Sequence, residues 1–459
     1  MNEDNSEVKM KKSPHIILIM TDQHTATALG CAGNPVLKTP AIDSIAAEGV
    51  RFENAYCSSP ICGPARASLF TGLPVEEHGI FKNWIPLKPG TELITDRLRA
   101  AGYTAALVGK LHISPCHEKH GFDIHRLCDS PHDVYDPEEV VHNDYLRWLE
   151  KKCPEQTPQE LVRLAGESER LGGSDPRFWQ GWSWMDDDRQ LTTWTGEESV
   201  EIIEHHDADT PLFLNISFFG PHHPYKTCEP WDSMYSPDEV PLPDTLKKEF
   251  PGDPGGSRFP DWPEARWREM IAAFYGNISS IDVQIGRIIE SLKTRGMWEN
   301  SLVIFTADHG DSMGDFSRLG KGTMLDSSVK IPLIIKPPRS SSARTERRNV
   351  SALDLFATLA DYAGAAGPLP KETRSLRGVL EQRDPGWPDI VYATFGDMSG
   401  NPLCMVRKGD LKLVRRRRNP AESFGLYDCG PEGEGDAVNL FDPQSPPDEL
   451  MGLWNVKYA

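Results

Sequence analysis

A cysteine stands among a glycine, two prolines and an arginine in "SSPICGPARASLFTG", residues 58–72, with Pro64 and Arg66 at fixed offsets behind Cys62. The nine cysteines (31, 57, 62, 116, 128, 153, 228, 404 and 429) are scattered, odd in number and without C-x-x-C spacing. That pattern implies neither a zinc site nor a disulfide framework, so they read as mostly reduced thiols. Other chemically able residues follow apolar runs. "MTDQH" offers Asp22 and Gln23, and "TADHGD" offers Asp308 and His309. Carboxylates and an amide carbonyl suit a hard cation, although an Asp after a strand is also an ordinary helix cap and "DHGD" an ordinary turn. In "GKLH", Lys110 and His112 are two residues apart. On an extended segment both would point to one side, where an ammonium and an imidazole could converge on one anion. "FFGPHHPY" sets His222 and His223 between prolines, with Pro224 biasing His223 towards an extended backbone. "GKGT" sets Lys321 between glycines, where backbone can approach a ligand closely; a surface turn is the plainer alternative.

These residues need a scaffold. "HIILIM" (15–20), "TAALVG" (104–109), "LFLNISFF" (212–219) and "SLVIFTA" (301–307) are short continuous apolar runs ending in polar residues, the pattern of strands buried on both faces. Helical stretches alternate with them: 39–49, with Thr39 as N-cap and Pro at the first turn, and the long amphipathic 264–296. The expected fold is α/β, a large mostly parallel or mixed sheet sandwiched by helices, with ligands at the carboxyl ends of the strands. Residues 120–190 read as excursions over the sheet's rim, and 350–367 as a helix. Beyond a Pro- and Gly-rich connector, four short turn-separated segments predict an antiparallel sheet, hence a catalytic unit over 1–371 and a smaller α+β unit over 372–459. The basic run Arg415–Arg418 reads as a solvated strand end.

The chain has 459 residues, with 49 Lys and Arg against 68 Asp and Glu, a formal net charge of -19. Such acidity argues against nucleic-acid or anionic-membrane partners. The apolar run near the N-terminus is too short for a signal peptide or a membrane span. The expected location is therefore cytoplasmic, or periplasmic or secreted if a leader was removed.

Cys62, Pro64 and Arg66, followed by Leu69, Thr71 and Gly72, form C-x-P-x-R with an L-x-T-G tail, which resembles the modification signature of the type I sulfatases of the alkaline-phosphatase-like superfamily. "GYTAALVGKLH", "GPHHPY", "LVIFTADHGDSMGD" and "GKGTM" fall in that family's order. The resemblance implies that a formylglycine-generating enzyme oxidises Cys62 to formylglycine, whose hydrated aldehyde is the nucleophile. It further implies that Asp22, Gln23, Asp308 and His309, with residue 62, hold a divalent metal, Ca2+ first and Mn2+ or Mg2+ as alternatives. By the same resemblance Arg66 steadies the diol, Lys110 and His112 flank it with His112 as base, and His222 and Lys321 grip the sulfate and protonate the leaving oxygen. Asn83 resembles a substrate-pocket position, while His78 reads as structural. Gln23 and His309 depart from the commoner Asp and Asn, variants that occur both among sulfatases and among the related phosphonate monoester and phosphodiester hydrolases. Phe316 and Ser317 stand where members commonly carry His and Gly, so that turn receives no role. The implied activity is hydrolysis of a sulfate monoester on a carbohydrate or small alcohol. The alternatives are a phosphonate monoester or phosphodiester hydrolase and a non-catalytic binding protein of the same fold.

Overall fold

Eight strands form the central sheet of the computed structural model, which describes residues 13–129, 143–156, 160, 180–182, 185–248, 257–340, 343–418, 425–428 and 448–458. They are β1 (His15–Thr21), β2 (Val50–Tyr56), β3 (Thr104–Gly109), β4 (Ile124–Leu127), β5 (Leu212–Ser217), β6 (Ser301–Ala307), β7 (Lys330–Lys336) and β8 (Arg344–Ser351). Their spatial order is β8-β2-β7-β6-β1-β5-β3-β4. Neighbours pair in parallel except around β7, which is antiparallel to both β2 and β6.

The helices that cover the sheet include α1 (Pro40–Glu48), α2 (Cys62–Thr71), α3 (Leu191–His205), α4 (Glu264–Thr294) and α5 (Asp354–Ala363). Side chains alternate across a strand, so β1 sends Ile16, Leu18 and Met20 into a core with Leu69 and Phe70 of α2 and Leu355 of α5. Ile17 and Ile19 enter the opposite core with Ile42 and Ile45 of α1, Ile203 of α3 and Ile285 of α4. Burial on both faces is why β1 reads as an unbroken apolar run.

Several local expectations need correction. Thr39 occupies the N-cap of α1 but makes no side-chain cap bond. Asp282 of α4 accepts from the Ala41 and Ile42 amides instead, at 3.0 and 2.8 Å, tying the two helices together. Residues 350–351 end β8 rather than begin a helix, and α5 starts at Asp354. The 120–190 stretch is more than rim, since Ile124–Leu127 is the edge strand β4; residues 130–142 and 161–179 lie outside the described residues.

The C-terminal segments form β9 (Ile390–Phe395), β10 (Leu403–Lys408), β11 (Leu411–Arg416) and β12 (Gly425–Asp428), a four-stranded antiparallel sheet in sequence order, with α6 (Asp448–Tyr458) against it. One face shares the core of the main sheet, through Val391, Met405 and Val414. The other buries Cys404, Val406 and Leu413 under Leu450 and Trp454 of α6. Buried Lys412 reaches across to Asp326 at 2.8 Å. The basic run is not simply solvated: Arg415 is buried with its guanidinium over Trp454, and Arg417 donates to the Tyr458 carbonyl, leaving Arg418 exposed. All eight cysteines among the described residues are free thiols, with Cys429 outside them.

Candidate active site

β1 and β6 are adjacent and in register, Thr21 opposite Ala307, so the next residues, Asp22 and Asp308, emerge side by side at the carboxyl edge. α2 begins at Cys62, which brings its thiol to the same point. Asp22, Cys62, Asp308 and His309 each offer a ligand atom within 4.8 Å of the others, and all four are buried. His309 bonds the Gly310 carbonyl through Nδ1 at 3.0 Å, which assigns the proton to that nitrogen and aims Nε2 at Cys62 Sγ, 3.2 Å away.

Gln23 completes the arrangement in a specific orientation. Its backbone is left-handed (φ 62°), and its amide nitrogen donates to Asp311 Oδ2 at 2.5 Å, with His223 Nδ1 at 3.2 Å. That leaves Oε1 buried with no hydrogen-bond partner among the described residues. An orphaned buried acceptor beside two carboxylates and an imidazole nitrogen is the donor set a divalent cation requires. Asp311 was legible only as part of a turn. It also accepts from the Tyr225 hydroxyl and from the Gly320 amide at 2.9 Å, so one carboxylate fixes Gln23 and the glycine loop that presents Lys321.

Cationic side chains surround this centre. Lys321 Nζ lies 2.8 Å from Cys62 Sγ and 3.9 Å from Asp22 Oδ1. Lys110 Nζ pairs with Asp22 Oδ2 at 2.8 Å and sits over the Phe219 ring. Burial opposes its charge, but Asp22, Cys62 and Asp308 together outweigh that and raise the ammonium's pKa. Burial likewise opposes ionisation of Asp22, yet Lys110, His222, Lys321 and Arg66 hold its carboxyl well below the usual range. For the Cys62 thiol, burial and Asp22 push upward and are outweighed by Lys321, Lys110 and His309, so its pKa is lowered.

Arg66 lies one helical turn after residue 62 in α2. Its guanidinium donates to Asp308 Oδ2 at 2.8 Å, Asp22 Oδ2 at 3.3 Å, the Lys110 carbonyl at 2.9 Å and Ser217 Oγ at 2.8 Å. The planar fork thus binds the two strand-end carboxylates and the end of β5. His112 departs from the extended geometry expected of it. β3 ends at Gly109 and His112 is left-handed (φ 57°), so alternation no longer governs where its ring points. Its two ring nitrogens are buried without a partner among the described residues, and burial, Lys110 and Arg66 keep the imidazole neutral by holding its pKa well below the usual value. Asn83 accepts from the Gly63 amide at 2.9 Å, at the first turn of α2. His222 bonds its neighbour's carbonyl through Nδ1 at 2.5 Å and turns Nε2 towards Asp22 Oδ1, 4.0 Å away. Burial, then Lys321 and His223, hold its imidazole well below the ordinary range. His78 pairs with Ser68 Oγ at 2.9 Å and accepts from the Ile80 amide at 2.9 Å.

The family model described as Sulfatase matches residues 14–365. An arylsulfatase of Clostridium perfringens is 30% identical over 434 residues, covering 90% of this chain and 88% of its own length. The phosphonate monoester hydrolase of Agrobacterium radiobacter superposes with a TM-score of 0.76 at 26% identity, over 96% of this chain and 94% of that one. A further solved structure, in complex with its substrate D-glucosamine-2-N,6-O-disulfate, shares the fold at TM-score 0.75 and 19% identity, covering 97% of each chain.

Proposed function

The chain belongs to the sulfatase family, and from that premise we propose that it hydrolyses a sulfate monoester of a carbohydrate or small alcohol, using a formylglycine made from Cys62 and a bound divalent cation. The observation that carries this reading is the position of Cys62 Sγ, 2.8 Å from Lys321 Nζ and 3.2 Å from His309 Nε2, at the edge of the oxygen donors. Sγ marks where the diol oxygens would stand. A geminal diol at residue 62 would supply one hydroxyl to attack sulfur and a second to expel sulfate from the adduct, which a thiol cannot do. A formylglycine-generating enzyme is the maturation partner this requires.

Asp22, Gln23, Asp308 and His309 would hold the cation, which would acidify the diol and polarise a sulfate oxygen. Gln23 and His309 carry less negative charge than carboxylates, so calcium remains first choice over manganese or magnesium by a narrower margin. Lys321 and Lys110 offset the charge of the transferring group, and the amino end of α2, where residue 62 sits, adds a favourable field. His112, kept neutral, is suited to take a proton when the adduct collapses. His222 is neutral beside Lys321; the negative charge of a bound sulfate is what would draw a proton onto Nε2 and fit it to protonate the leaving oxygen. Residues 1–371 hold every one of these groups, so we assign catalysis to that unit and a supporting role to 372–459.

The neighbour in complex with a glucosamine disulfate supports a sulfated glycan as substrate. The phosphonate monoester hydrolase neighbour supports a second reading, a phosphonate monoester or phosphodiester substrate in the same site. Release of nitrophenol from 4-nitrophenyl sulfate and from 4-nitrophenyl phenylphosphonate, by modified protein in excess calcium or manganese, separates the two. A higher kcat/KM for the sulfate is expected, and a large preference for the phosphonate overturns the assignment.

A further inference from the structure

Trp84 is 49% exposed and is the one aromatic among the exposed large apolar side chains of the described residues. It is also left-handed, with φ 70°. A bulky residue in that region is strained, and such strain persists only where the surroundings impose it. Those surroundings are visible on both sides of the residue. Before it, His78 is bonded to Ser68 of α2, and Asn83 accepts from the Gly63 amide beside Cys62. After it, Pro86 pairs with Ser114, and the Leu87 amide donates to the Ser114 carbonyl at 2.8 Å. The indole is thereby pinned between the first turn of α2 and the segment carrying His112. Its ring lies against the His112 imidazole, with centroids 4.8 Å apart.

We propose that Trp84 is a substrate-binding residue, a fixed platform on which the ring of a cyclic alcohol or phenol, a pyranose or an aryl group, stacks while its sulfate enters the site. This inference rests on the sulfatase reading and narrows its substrate class. One part of the indole lies against the buried His112 imidazole, and its exposed remainder faces solvent beside that residue of the site. An apolar ring held open to solvent against a backbone penalty has a use that burial would defeat. Ring stacking adds about 0.5–1.5 kcal/mol beyond area burial, enough for about a twofold to twelvefold preference.

The test is calorimetric binding of 4-nitrophenyl sulfate and of ethyl sulfate to the Cys62→Ala chain, with and without Trp84→Ala and Trp84→Phe, in excess calcium. This readout needs neither the modification nor turnover. The ratio of the two affinities should fall about twofold to twelvefold in Trp84→Ala and be largely restored in Trp84→Phe. A ratio unchanged by Trp84→Ala, or one that Phe fails to restore, overturns the platform alone. Failure of the Cys62→Ala chain to bind either ester overturns the sulfate reading beneath it, and the platform with it.

Discussion

Replacing Arg66 by Met keeps the length of the side chain and removes its charge and donors. In the folded protein this guanidinium is fully buried and serves Asp308, Asp22, Ser217 and the Lys110 carbonyl. Asp22 keeps Lys110 at 2.8 Å, so the main loss falls on Asp308, whose Oδ2 would lose its 2.8 Å partner. Leaving one buried charge uncompensated costs about 3–5 kcal/mol. The two neutral acceptors add about 0.5–1.5 kcal/mol each, less whatever Met recovers by packing. A loss of about 3–5 kcal/mol is therefore expected in EDTA, measured as a shift of the urea unfolding midpoint. A cation between Asp22 and Asp308 supplies the missing positive charge, so excess calcium should stabilise Arg66→Met more than the parent chain. A loss below about 1 kcal/mol in EDTA, or one of equal size with and without calcium, would refute the view that Arg66 neutralises a cation site.

His78 gives a pH dependence of stability. Burial and Lys88 lower its pKa from 6.5 to about 4, so the folded chain binds fewer protons than the unfolded one between these values. The contribution is fully present above pH 6.5 and lost as pH falls towards 4, about 3 kcal/mol over the interval. Thermal scans of His78→Gln should show a shallower loss over that range, and an unchanged profile would count against it. For His222→Ala, kcat/KM should fall most for aryl sulfates with poor leaving groups, and a uniform fall across a leaving-group series would reject the role in protonating the departing oxygen.

The four strands read from the sequence were legible because each is buried on both faces, so periodicity and burial gave the same signal. The strands that escaped carry mixed signals. β7 contains Pro332 and shifts register between Ile331 and Leu333, and β8 is an edge strand rich in Arg. The clustering of Asp22 and Asp308 followed from the rule that ligands gather at strand ends, once β1 and β6 proved neighbours. What one segment cannot reveal is what a distant one does to it. The Gln23 amide is oriented by Asp311, 288 positions away, and the Arg66 guanidinium is held by Asp308, 242 positions away. Neither contact has a local signature. Trp84 was hidden similarly, since its backbone conformation depends on anchors at Gly63 and Ser114.

The most direct measurement is the mass of the peptide spanning residues 58–72, taken from protein made with and without a formylglycine-generating enzyme, beside the rate of aryl sulfate hydrolysis by each preparation. The account predicts that turnover rises in proportion to the fraction of residue 62 found as formylglycine and is absent from Cys62→Ala. Equal turnover by fully unmodified protein would contradict it.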